Sequence, residues 1–211
     1  ETGNYVVEYT ADNVPISQYK YTTKNSHVSI YSISGDSNGN QYVCGNYGTR
    51  SSIIFGQEYE PTYNECTNAF LVAIDKDQNT LWSFTMRAAP GYIPSNGEAY
   101  VYAQTVLTLS DGVACLFYFP SDTTVYASDG TIISGTSYRT SIVKFDFQGK
   151  VLWRVYMTHA FVGDKSTNMY ADGNDTIVYR SPAYYQTTIT DGKNVSTLIS
   201  KSGGFIPAVR I

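Results

Sequence analysis

The chain has 211 residues, with 20 tyrosines, 15% charged residues and a formal net charge of −4. This length suits one sizeable β domain or a modest tandem array with a self-sufficient core. The acidic balance argues against nucleic-acid and anionic-membrane partners, and no apolar run approaches the ~20 residues of a spanning helix, so no membrane insertion is expected.

Glu1-Thr2-Gly3 resembles the scar left by a common mammalian secretion vector and is set aside. A first strand pair is predicted at Tyr5–Thr10 and Ile16–Thr22, around the turn Ala11-Asp12-Asn13. Next comes a hairpin of Val28–Ile33 and Gln41–Tyr47 around Gly35–Asn40, whose central Asn38-Gly39 is a strong hairpin signal. A long polar segment, Gly48–Asn68, leads into a second kind of hairpin, Ala69–Met86, with its turn at Asp75–Thr80 and Trp82 on the second strand.

The same order then repeats. Ala99–Leu109 and Val113–Phe119 flank Ser110-Asp111-Gly112, and Pro120–Thr140 is a long loop in which Ser128-Asp129-Gly130 marks a small hairpin. Ser141–Met157 rewrites the second kind of hairpin without a gap: Leu71 aligns with Ile142, Asp75 with Asp146 and Trp82 with Trp153 (153 − 82 = 71). In a third round, Asn168–Ala171 and Thr176–Tyr179 flank Asp172-Gly173-Asn174. Arg180–Lys193 is read as loop, and Val195–Val209 as a closing hairpin around Ser202-Gly203-Gly204.

Recurrence of a hairpin pair at a fixed interval is the mark of a modular array, and four-stranded antiparallel units in tandem are β-propeller blades. The expected fold is all-β, a propeller-like array of about three and a half four-stranded blades. It forms a single domain over residues 4–211, with a half-blade at 4–22 and blades at 27–87, 98–158 and 166–211. The run Asp36–Gly45, followed after a loop by Asn68–Asp75 and Leu81-Trp82, resembles the SBBP-type β-propeller repeat and, more loosely, the Trp-bearing blades of PQQ-like propellers. That resemblance implies a propeller scaffold, often in secreted or surface proteins, and no particular chemistry.

In such units the short turns lie at one end, and the long segments and blade-to-blade links at the other. Recognition residues concentrate on loops held by a rigid scaffold, so the long-segment end is the candidate face. Its aromatic residues are Phe55, Tyr59, Tyr63, Tyr92, Tyr126, Tyr138, Tyr184 and Tyr185. Tyrosine offers large contact area with a polar tip and is enriched in recognition surfaces; the alternative is that these rings pack the loops down.

Other candidate chemistry is sparse. His27 and His159 fall at unit junctions outside any nucleophile–base motif. Asp36-x-Asn38-x-Asn40 and Asp75-x-Asp77-x-Asn79 space oxygens as Ca²⁺ loops do, but hairpin turns use the same residues, and turns are expected. Trp82 and Trp153 read as inter-blade packing rather than a cofactor platform. No metal and no cofactor is expected. Cys44 and Cys66 bracket the first long segment and are the expected disulfide, with Cys44–Cys115 across blades as the rival. Asn174-Asp175-Thr176 and Asn194-Val195-Ser196 are N-glycosylation sequons.

The expectation is a non-enzymatic binding or attachment module, secreted or on a cell or virion surface, that recognises a protein partner or receptor. A glycan-binding lectin is one alternative. Another is a structural unit that completes a ring or filament by self-association through open strand edges.

Overall fold

The computed structural model describes residues 4–9, 12–21, 28–48, 52–59, 66–89, 99–120, 123–134, 140–157, 169–171, 177–179, 186–190 and 195–199. Among them there is no helix. The strands in chain order are β1 (Asn4–Tyr9), β2 (Pro15–Tyr21), β3 (Val28–Gly35), β4 (Gln41–Tyr47), β5 (Ser52–Ile54), β6 (Gln57–Tyr59), β7 (Cys66–Ile74) and β8 (Thr80–Ala88). They continue as β9 (Ala99–Tyr100), β10 (Tyr102–Leu109), β11 (Gly112–Tyr118), β12 (Thr124–Ala127), β13 (Ile132–Ser134), β14 (Thr140–Phe145) and β15 (Val151–Met157). The last are β16 (Met169–Ala171), β17 (Ile177–Tyr179), β18 (Gln186–Thr190) and β19 (Val195–Ile199). Pairing is antiparallel except where β9 lies parallel to Cys66–Thr67 at the start of β7.

Two large sheets carry the fold. In one, the strand order is β13-β12-β8-β7-β4-β3; in the other it is β10-β11-β14-β15-β18-β19. Each therefore contains the two expected hairpins side by side, β3-β4-β7-β8 and β10-β11-β14-β15. β1–β2, β5–β6 and β16–β17 are separate two-stranded pairs. The described strands do not close into a ring.

The outer strands of each large sheet depart from the sequence reading. The segment between β11 and β14 is not simply loop: its hairpin β12–β13 adds onto β8, the last strand of the preceding unit. Val125 pairs with Ala88, Tyr126 with Arg87 and Ala127 with Met86. Ser128 Oγ accepts from the Thr85 amide at 3.0 Å, and the Ser128 amide donates back to the Thr85 carbonyl at 2.9 Å. β18 does the same on β15, pairing Ile189 with Met157. Met86 and Met157 are equivalent in the repeat (157 − 86 = 71), so the two joints occupy the same place.

The reading of Arg180–Lys193 as loop is thereby corrected, whereas the expected last strand Phe205–Val209 lies outside the described residues. β18 lies within Arg180–Lys193, and β19 is the second strand of the inserted hairpin. The physical reason is the edge itself, since an outer strand leaves a row of unpaired amides and carbonyls that a neighbouring segment can satisfy. With β19 so assigned, Ile206–Ile211 aligns in sequence with Ala69–Ile74 and Thr140–Phe145; residues 200–211 lie outside the described residues.

Both faces of the first large sheet are buried along its central strands β4 and β7, as the unbroken apolar run Ala69–Ile74 demands. Leu71, Phe84 and Met86 on one face meet Cys115, Phe117, Val143 and Phe145 of the second sheet. Val43, Phe70, Val72 and Ile74 on the other face are covered by Ile54 and Tyr59 of the β5–β6 hairpin. Leu116, Ile142 and Val155 on the far face of the second sheet pack with Met169 and Ile177 of β16–β17. Phe84 stands edge-on to both Phe117 and Phe145, at centroid distances of 5.5 and 4.9 Å. Such contacts add to area burial by about 1 kcal/mol each.

The repeated tryptophan has a defined place in this packing. Trp82 stacks on Phe145 at 5.6 Å and donates its Nε1 hydrogen to the Phe147 carbonyl at 2.9 Å. It thus ties the first sheet to the short turn between β14 and β15. Gly149 in that turn has φ +86°, and a Cβ there would lie 2.7 Å from the Trp82 ring.

Gly39 holds the equivalent conformation, φ +83°, in the β3–β4 turn, with nothing closer to a built Cβ than Lys76 at 3.8 Å. Gly39→Ala is therefore expected to cost about 1 kcal/mol from backbone strain alone. Gly149→Ala adds the clash and is expected to cost about 3 kcal/mol. Urea unfolding of the two variants measures the difference.

Candidate recognition site

The Asp/Asn turns are closed by their own side chains. Asp36 Oδ1 accepts the amides of Asn38 and Asn40 at 2.8 and 3.0 Å, and its Oδ2 accepts from Asn40 Nδ2 and the Tyr42 hydroxyl, each at 2.9 Å. Asp75 repeats the pattern with the amides of Asp77 and Asn79 and the Asn79 side chain. Asp146 caps Gln148 and Lys150 in the same way. The carboxylate that leads each run is thus spent on its own turn, which is the Asx geometry these residues favour. Among the described residues, no three His, Cys, Asp or Glu side chains are grouped to hold a metal.

Desolvation pushes Asp36 up, but the bonds from Asn40, Tyr42 and Asn38 outweigh it and hold the carboxyl below its ordinary value. Burial, followed by the Asp36 carboxylate, pushes Tyr42 well above the usual phenol range. The Asn79 side chain and amide hold Asp75 low.

None of the three cysteines is disulfide-bonded, so the expected Cys44–Cys66 bridge is not present. The register explains why. Cys44 lies opposite Leu71, five residues along β7 from Cys66. At about 3.3 Å per residue that is roughly 16 Å, against the 4.4–6.8 Å between Cα atoms of a disulfide.

Of the eight loop aromatics, three fall in described residues. Phe55 sits half-buried in the β5–β6 turn at φ +48°, packed on the core, and its carbonyl accepts the Thr80 hydroxyl at 2.9 Å. Tyr59 is buried 5.6 Å from Tyr47, and burial pushes its hydroxyl up despite a bond with Ser83. Tyr126 is 37% exposed beside Arg87 at the outer edge of the first sheet. Tyr63, Tyr92, Tyr138, Tyr184 and Tyr185 lie outside the described residues, as do Asn174, Asn194, His27 and His159. The β5–β6 hairpin is thus a cover for the sheet rather than an open loop.

The structure assembles another aromatic group at the long-segment end, on β3, β10 and β11. Tyr31 lies 5.6 Å from Tyr102, and Tyr102 lies 4.7 Å from Tyr118. Tyr31 is 41% exposed, Tyr102 half-buried and Tyr118 buried, so the rings step from the core to the surface. Tyr100, 40% exposed, precedes this group on β9. Tyr31 is the extra residue of a β-bulge: Ile30 pairs with Gly45 and Ser32 with Cys44. A bulge re-aims a side chain, and here Gly45 leaves room for the Ser29 carbonyl where any Cβ would clash.

The two first strands are also stitched together. Ser32 Oγ accepts the Val106 amide at 3.2 Å, and Ser34 Oγ accepts the Thr108 amide at 3.0 Å. The amides of β10, an edge strand, are thus satisfied by side chains where no further strand pairs. Strand propensity alone placed these tyrosines inside predicted strands; the bulge and the inter-sheet contact carry no signature in the sequence. A second polar joint pairs Arg154 of β15 with Asp129 in the β12–β13 turn at 2.6 Å, with the guanidinium 5.9 Å from the centre of the Phe84 ring.

No family model matches the chain, and no curated protein matches it. A solved structure of a protein of unknown function from Bacteroides caccae is similar over the whole chain, at 12% identity and a TM-score of 0.42. The chain spans 59% of the length of that protein.

Because Asp36 and Asp75 are held low in the folded state, their contribution is fully present above the unfolded carboxyl value, about 4, and is lost as pH falls through the folded one. Stability is therefore expected to decline with acidification below about pH 4. Asp36→Asn is expected to lower the melting temperature at pH 7, with the gap to the native protein narrowing as pH falls below the ordinary carboxyl value. Thermal melts across that range check both.

Proposed function

We propose that this chain is the propeller-like scaffold of a secreted or surface protein and works without catalysis, by recognising a protein partner through its long-segment end. The observation that carries this reading is the stepped group Tyr31, Tyr102 and Tyr118, with the exposed Tyr100 two residues before Tyr102 in the chain. Rigid aromatic rings seated on strands lose little entropy on binding and supply the large, amphipathic contact typical of interface anchors.

The propeller reading is supported by two antiparallel sheets packed face to face, with their first strands adjacent and the short turns of each at one end. The surface location is supported by the two sequons and by the sparse charge of the chain. No helix among the described residues is long and apolar enough to cross a membrane. The partly open Tyr31 and Tyr100 rings also favour a second reading, stacking on a sugar.

The test uses two probes, an array of purified extracellular protein domains and a glycan array. Each is run with the native chain and with the Tyr31→Ala/Tyr100→Ala variant. Both positions are surface-exposed, so the variant is expected to keep the native melting temperature. The expected result is binding to a protein probe that weakens at least tenfold in the variant, about 1.4 kcal/mol. Protein binding unchanged in a folded variant would reject this location, and binding confined to glycans would transfer the site to the lectin reading.

A further inference from the structure

We propose that Cys44 and Cys115 form a disulfide that staples the two large sheets together in an oxidising solution. Cys44 lies on β4 and Cys115 on β11, the second strand of each sheet, at the same step of the repeat (115 − 44 = 71). Both are 0% exposed and belong to one apolar interface. Both thiols thus face the same interface between the sheets, and Cys44 is the neighbouring group that acts on Cys115. Cys66 is no rival for Cys44, being five residues away along β7 from the residue that faces it.

Burial, then the neighbouring Cys44, pushes the Cys115 thiol well above its ordinary value, so the attacking thiolate is scarce once the sheets have closed. The bond is therefore made while the sheets are still assembling. The oxidant is a small-molecule disulfide of the glutathione class. One cysteine thiolate attacks it, giving a mixed disulfide and one released small thiol. The second thiolate then displaces a second small thiol and closes the Cys44–Cys115 bond. Two protons leave the cysteines and are taken up by the two released thiols, and two electrons pass to the oxidant. The bond closes a loop of about 70 residues, a length at which the chain-entropy model gives substantial stabilisation. It links the two sheets covalently across that interface.

The test refolds the full chain in a mixture of reduced and oxidised glutathione, alkylates remaining thiols under denaturing conditions and maps the peptides by mass spectrometry. The expected result is a Cys44–Cys115 linked peptide with Cys66 alkylated, and a melting temperature that falls by on the order of 10 °C on reduction. Cys66→Ala should retain that sensitivity to reductant, and Cys44→Ala/Cys115→Ala should abolish it. Three alkylated cysteines in folded protein, or a linkage through Cys66, would overturn the proposal. In cells the bond rests on the proposed secreted or surface location, and the two fail separately. A bond that forms in the refolding mixture but is absent from material isolated from cells upholds the pairing and counts against that location.

Discussion

The structure depends on burying both faces of a sheet that is apolar on both sides. Strand β7 has no polar face to give to water: Ala69 to Ile74 are all at most 1% exposed. Once such a strand forms, something must lie above it and something below. The second large sheet covers one face, and the β5–β6 hairpin of the same unit covers the other. Burial of this kind, at roughly 25 cal/mol per Å², is the dominant favourable term, and it makes each unit conditional on its neighbours. Aromatic side chains set how closely the sheets approach. Phe84 and Trp82 from one sheet lock over Phe117, Phe145 and the Phe147 carbonyl of the next.

Burial fixes how the faces meet but leaves the sheet edges open, and a second set of devices deals with these. At the first-strand edge, hydroxyls of Ser32 and Ser34 accept the amides of β10 that have no strand partner. At the last-strand edge, a hairpin from the following unit is laid down as two additional strands. Arg154 then reaches across from that unit to clasp Asp129 at the hairpin tip. Backbone groups are thus satisfied by side chains at one edge and by borrowed backbone at the other.

The sequence made much of this legible, for identifiable reasons. Periodicity and turn residues located both kinds of hairpin, because Asp-x-Asn turns and a 71-residue echo of Trp82 in Trp153 are local signals. The turn reading of Asp36 and Asp75 rested on the same local chemistry, and the hydrogen bonds follow it. What stayed hidden was long-range. The destination of β12 on β8 depends on which edge is open, and that follows from how the sheets stack rather than from any pattern within residues 120–140. The Tyr31 bulge depends on Gly45 across the strand pair, and the sequence does not say which glycine of 17 allows a close approach. Cys66 was paired with Cys44 by proximity in the chain, whereas strand register governs proximity in space.

The borrowed hairpins separate two meanings of the word repeat. By alignment, a unit runs from one link to the next. By hydrogen bonding, the first large sheet runs from Val28 to Ser134, because its outermost strand is made after the second sheet has already begun. Separating the chain at the link between β8 and β9 would strip Met86–Ala88 of their β12 partners and leave β12 paired with β13 alone. The portable segment is thus an overlapping one, and shuffling or excising these modules would have to move one whole unit together with the opening strands of its successor.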